Sequence, residues 1–126
     1  MSDIHDVIQI LESLQRLVTN EPALSPFIPA ADALLNQAAA IERGDRDIPL
    51  FPSSDGVPIG KNVPPIPTKD LAIAIRATFD ALPSIEGDAQ LSRAYARLLR
   101  NAHVSVLHGI FQQYPEILPK PVREDA

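Results

Sequence analysis

The chain has 126 residues, a formal net charge of −5 at pH 7, 45% hydrophobic residues and no cysteine. This length suits one domain with a buried core of its own, and the apolar fraction excludes a chain that is disordered throughout. The lack of cysteine excludes disulfides, thiolate metal sites and cysteine nucleophiles.

The charge pattern limits the choice of partner. Residues 1–63 carry four basic and nine acidic side chains, whereas residues 64–126 carry seven of each. A net charge of −5 makes a nucleic-acid partner unlikely, because phosphate contacts need a positive surface. The longest apolar run, residues 71–75, falls far short of the ~20 residues of a membrane span. No secretory leader is recognisable at Met1, and we therefore expect a cytoplasmic protein that does not enter a membrane.

The first two segments have the apolar spacing of amphipathic helices. Apolar residues recur at intervals of three and four over residues 3–19, and Pro22 ends this helix because the residue before a proline disfavours the α region. A second, alanine-rich helix is predicted over residues 27–43, with Gly44 as its stop.

Residues 44–67 have a different composition. They contain six prolines and three glycines, together with apolar residues that a pure linker would lack. We predict a long crossover that packs its apolar side chains on the helices. Partial disorder of this stretch is the alternative.

Two further helices follow the crossover. Thr68 is a good N-cap for a third helix that ends before Pro83, and the last helix runs from about residue 85 or 88 to Tyr114. The last helix is apolar on most sides, which is typical of a helix that is central in a bundle or covered by a second chain. Residues 115–126 are expected to form a loose tail. The predicted fold is an all-α, four-helix bundle-like single domain with a long C-terminal helix.

The inventory of reactive groups favours a protein without a metal, a cofactor or a catalytic site. His103 and His108 are five residues apart and point about 140° from each other on a helix, which is wrong for two ligands of one metal. Neither a nucleophile elbow nor a phosphate-binding glycine loop is present in the sequence. We therefore lean towards a protein that is not an enzyme.

Three features are candidate binding surfaces. Arg93, Arg97 and Arg100 form a row on one helix face that would suit an acidic protein, a phosphate or a nucleic acid; the alternative is a solvated face paired with acids of the first two helices. The second feature fits a basic-x-x-Pro-x-x-Pro pattern, which favours a polyproline II segment that a partner protein could bind. The alternative is that the segment is only a stiff connection to the third helix. Its residues are Lys61, Pro64, Pro65 and Pro67.

The third feature is the apolar excess near the end of the last helix. Its residues are either a self-association surface or part of the core, and the sequence does not separate the two. They include Val106, Leu107, Ile110 and Phe111.

These observations favour a small adaptor, assembly factor or regulator that binds another protein and self-associates. One alternative is a ligand-binding or catalytic bundle with a pocket under the crossover, where Tyr95, Arg100 and His103 would be the polar groups. The other is a DNA-binding regulator that uses the hairpin of residues 71–100.

Overall fold

The computed structural model describes residues 4–51, 56–85 and 87–117. Within these ranges every regular element is a helix and none is a strand, which confirms the all-α prediction. The buried apolar side chains form one cluster to which all the main helices contribute, in a bundle-like arrangement. None of the helices in these ranges combines the length and the apolar character needed to cross a membrane.

Helices α1 (Ile4–Asn20) and α2 (Ile28–Glu42) pack along each other as the first layer of the bundle. The segment between them is not an open loop, because Pro22–Phe27 forms a 3₁₀ helix. Proline suits the first position of a helical turn, since the N–H it lacks would have no partner there. The small buried side chains of α2 permit a close approach between helices. They include Ala30, Ala31 and Ala38.

The crossover packs on the bundle, as predicted. Four of its apolar side chains are buried: Ile48, Phe51, Val57 and Ile66. The described part of the crossover contains a single 3₁₀ turn, Gly60–Asn62, which is flanked by extended backbone at Ile59 and Val63. Residues 52–55 lie outside the described ranges.

Helix α3 (Lys69–Asp80) begins where the sequence predicts, because the Thr68 Oγ1 accepts a hydrogen bond from Leu71 N at 3.2 Å. Helix α4 (Ala89–Ala102) begins in the same way at Asp88, whose carboxylate accepts from Leu91 N at 2.8 Å. Tyr95 of α4 contacts the chain just after α3, since its hydroxyl donates to Pro83 O at 2.6 Å.

The predicted last helix is one continuous rod, but it is not regular. After α4 the backbone takes a π-helical form over His103–Leu107 and then continues as α5 (His108–Gln113). The buried Ser105 hydroxyl donates to Asn101 O at 2.6 Å. This carbonyl lies next to the start of the π-helical turn, where the regular α-helical hydrogen bonds end. Such π turns are rare and occur frequently at functional sites.

The first residues of the predicted tail contact α3. Pro115–Ile117 forms a 3₁₀ turn that lies against α3. Lys69 Nζ is 3.1 Å from Glu116 Oε2, and Arg76 donates a hydrogen bond to Ile117 O. The ion pair and the hydrogen bond connect this turn to α3, while residues 118–126 lie outside the described ranges.

Candidate functional site

A groove runs between α3 and the long rod formed by α4 and α5. It has a volume of about 230 Å³. Its walls are mostly apolar, and Leu99 within it is 39% exposed to solvent. We call this site the groove. It is lined by Arg76, Phe79, Asp80, Leu82, Leu99, Ala102, His103, Leu107 and Phe111.

The π turn shapes one wall of the groove. At about 100° per residue, positions 103 and 111 of a regular α-helix would differ by about 80° around the axis. A π turn holds more residues per turn, which rotates Phe111 back towards the side of His103. The two rings are in tilted contact, with centroids 5.4 Å apart. The irregularity therefore places both rings in one wall.

The charges at the groove are unevenly balanced. Arg76 Nε lies 3.2 Å from Asp80 Oδ1, so these two charges neutralise each other. The pKa of His103 is lowered, first by partial burial and then by electrostatic interactions with His108 and Arg100, which favours the neutral imidazole. Arg100 is exposed and makes no hydrogen bond or ion pair with a described residue. No described residue therefore compensates its positive charge, which lies close enough to His103 in the groove wall to lower the pKa of that ring.

The predicted arginine row is divided by the structure. Arg93 and Arg97 line a cleft of about 390 Å³ together with Arg46 from the start of the crossover, and Arg100 is not among the lining residues. We call this site the basic cleft. Its lining residues are Gly44, Asp45, Arg46, Asp47, Gln90, Arg93 and Arg97.

Two of the three guanidinium groups in the basic cleft are held by backbone carbonyls. Arg97 Nη1 donates to Ile48 O at 3.2 Å, and Arg46 Nη1 donates to Ile41 O at 2.9 Å. Arg97 Nη1 is also 3.7 Å from Asp47 Oδ1, but that carboxylate side chain is 99% exposed. Arg93 is exposed and has no hydrogen-bonding partner among the described residues.

The proline segment is seated on α5. Gln113 Oε1 accepts from Ile66 N at 2.5 Å, and Tyr114 Oη donates to Ile66 O at 3.0 Å. Gly109 has no side chain where Val63 approaches, so the crossover packs directly on the helix backbone. Lys61, Pro65 and Pro67 face outward and are exposed, whereas Pro64 is half-buried.

The four residues of the predicted self-association surface have different surroundings. Val106 and Ile110 are 1% and 0% exposed inside the single chain, so they belong to its core and present no surface to a second copy. Leu107 and Phe111 are half-buried and line the groove. The self-association expectation therefore rests on Leu107 and Phe111 alone.

The three polar residues expected around a ligand pocket do not line the groove together, although Arg100 lies close enough to His103 to lower the pKa of that ring. The Tyr95 hydroxyl is committed to Pro83 O and does not line the groove, whereas His103 does. Over the ranges that the structure describes, no group of three His, Asp or Glu side chains could hold a metal ion.

The sequence did not single out Asn101, which is fully buried in α4. Its Oδ1 accepts from Phe51 N at 2.8 Å, and its Nδ2 donates to Pro49 O and to Gln37 Oε1, both at 2.9 Å. Asn101 thus joins α4, α2 and the crossover. A lone asparagine in an otherwise apolar helical stripe is the only trace of this role in the sequence.

Comparison of the chain with protein-family models, curated proteins and solved structures gives no match.

Proposed function

We propose that this chain is a non-enzymatic protein-binding module, and that its groove receives a helical segment of a partner protein. The observation that carries the proposal is the set of accessible apolar side chains in the groove, with Leu99 39% exposed beside the half-buried Leu107 and Phe111. Clustered accessible apolar side chains in a depression are typical of protein interaction sites.

The shape of the groove favours a helix as the occupant. Two helical walls, α3 and the α4–α5 rod, leave a trough into which the apolar face of a third helix can pack. An amphipathic helix fills such a trough with side chains spaced at i, i+3, i+4 and i+7. Arg76 and Asp80 neutralise each other at the wall, so the apolar side chains are the main recognition elements.

The uncompensated charge of Arg100 sets the chemistry of the partner. A carboxylate on the flank of the bound helix would pair with this guanidinium at the edge of the groove. The partner is therefore an amphipathic helix with apolar anchors and acidic residues beside them. A second copy of this chain is the competing occupant, and Leu107 and Phe111 would then form the self-association surface.

The test is a selection from a displayed library of helical peptides on the wild-type protein. Leu99→Glu places a charge in the groove, and Leu50→Glu is its matched control, because Leu50 is 44% exposed but lies on the crossover outside the groove. We expect enriched peptides to carry spaced apolar anchors with acidic flanks, and to bind wild type and Leu50→Glu but not Leu99→Glu.

Two results would contradict the partner-helix proposal. One is a set of peptides that binds all three proteins equally. The other is a concentration-dependent dimer, measured by light scattering on a size-exclusion column, that Leu99→Glu dissociates and Leu50→Glu leaves intact. The second result would assign the groove to a second copy of the chain.

A further inference from the structure

We propose that the basic cleft between the start of the crossover and α4 binds a phosphate monoester in its dianionic form. The cleft is lined by Arg46, Arg93 and Arg97 and has a volume of about 390 Å³, enough for a phosphate group with part of the molecule that carries it. It lies apart from the groove, since the two share no lining residue. The inference therefore does not depend on the proposed function.

Two arginines of the basic cleft are positioned without losing their charge. Arg97 is held by Ile48 O and Arg46 by Ile41 O, and both acceptors are neutral carbonyls. A carbonyl orients a guanidinium group but does not neutralise it, so the remaining N–H donors keep their affinity for an anion. Ordering these long side chains in the free protein also reduces the entropy lost on binding.

The charge balance of the cleft also favours an anion. Three guanidinium groups face two carboxylates, those of Asp45 and Asp47. Asp45 Oδ1 already accepts a hydrogen bond from Asp47 N at 3.0 Å. The 3.7 Å separation between Asp47 Oδ1 and Arg97 Nη1 exceeds the ~2.7–2.9 Å of a charge-assisted hydrogen bond. The carboxylates thus leave the cleft with a net positive charge.

Arg93 is available to bind a ligand. It is exposed, lies one helical turn before Arg97 and has no partner among the described residues. An unpaired guanidinium beside two oriented ones offers donors from three sides, which suits a tetrahedral anion with several equivalent oxygens. A planar carboxylate would use only one bidentate pair. Phosphate monoesters carry close to two negative charges at pH 7.

The probe is phenyl phosphate, titrated into the full chain labelled with ¹⁵N at constant ionic strength. Phenyl sulfate, which has the same shape and one negative charge, is the reference anion. We expect saturable shifts of the amide signals of Asp45 and Asp47 and of the arginine side chains, with a Kd on the order of 1 mM, and about tenfold weaker binding of phenyl sulfate.

Three variants distinguish binding at the basic cleft from nonspecific electrostatic attraction of the anion to the protein. Arg93→Gln should weaken binding about tenfold, because one charge-assisted hydrogen bond is lost. Arg100→Gln removes the same charge from the same helix outside the cleft and should change the Kd by less than about twofold. Asp47→Asn should strengthen binding about threefold, because it removes a repelling charge from a fully solvated position.

The source of the phosphate is decided by two further titrants. A phosphoserine peptide that binds at least about tenfold tighter than phenyl phosphate indicates a phosphorylated partner, and a mononucleotide that does so indicates a free metabolite. If the peptide, the mononucleotide and phenyl phosphate bind with equal affinity, the cleft recognises the phosphate dianion alone. The proposal is overturned if the shifts do not saturate, if phenyl sulfate binds equally well, or if Arg100→Gln weakens binding as much as Arg93→Gln.

Discussion

Replacement of Asn101 by alanine should destabilise the protein strongly, although the residue lies on a helix that keeps its other packing contacts. The Asn101 side chain is 0% exposed and joins three parts of the fold through three hydrogen bonds. Asn101→Ala removes all three bonds without introducing bulk. The backbone amide of Phe51 would then lie in a buried position without a partner.

The expected loss in the free energy of unfolding depends on which polar groups keep a hydrogen-bonding partner in Asn101→Ala. An orphaned buried amide such as Phe51 N–H costs about 1–3 kcal/mol, and each lost hydrogen bond of a part-buried group costs about 1 kcal/mol. Pro49 O keeps a second donor, Gln37 Nε2, at 3.2 Å. Alanine also regains about 0.5 kcal/mol of helix propensity over asparagine. We therefore expect a loss of about 3 kcal/mol, out of a total stability of about 5–15 kcal/mol for a domain.

The assay is equilibrium unfolding in urea at 25 °C, followed by circular dichroism. Asn36→Ala is the matched control, because Asn36 is an exposed asparagine within α2 and should change stability by less than about 0.5 kcal/mol. Hydrogen exchange of the Phe51 amide should accelerate in Asn101→Ala. A loss below about 1 kcal/mol, or unchanged exchange at Phe51, would refute the idea that Asn101 holds the crossover.

Three further predictions concern the rod and its neighbours. Because the pKa of His103 is lowered in the folded protein, the unfolded chain binds protons first as the pH falls below about 6.5. Wild type should therefore lose stability relative to His103→Gln in urea titrations between pH 7 and pH 5. A Cβ at position 109 would lie 3.0 Å from Val63 Cγ1. Gly109→Leu should thus cost about 1–3 kcal/mol by overpacking, whereas Gly109→Ala should be near neutral because it gains helix propensity. Tyr95→Phe should lower the free energy of unfolding by about 1 kcal/mol through loss of the bond to Pro83 O, and no change would show that water replaces it.

The helices could be predicted from the sequence because their determinants are local. Apolar spacing of three and four residues, the Thr68 cap and the Gly44 stop lie within one or two turns of the structure they specify. The burial of the crossover was also predictable, since its apolar residues would cost free energy in water. The π turn was not predictable, because periodicity gives only the average rotation per residue.

The sites required tertiary structure. The sequence placed Arg93, Arg97 and Arg100 on one helix face, but the cleft also depends on Arg46, which a turn after α2 brings to α4 from far away in the chain. The sequence likewise did not decide whether Val106 and Ile110 belong to the core or to a self-association surface. Their burial is decided by the helices and the crossover that pack against the rod, and the pattern of one helix contains no information about those neighbours.

The central claim, that the groove binds a helix of another protein, is tested most directly by the affinity of one selected peptide for three forms of the chain. Isothermal titration should give equal Kd values for wild type and Leu50→Glu. Leu99→Glu should bind at least about tenfold more weakly, because burying an unpaired carboxylate in an apolar contact is costly. Equal affinity of all three forms would show that the peptide binds elsewhere, and would contradict the claim.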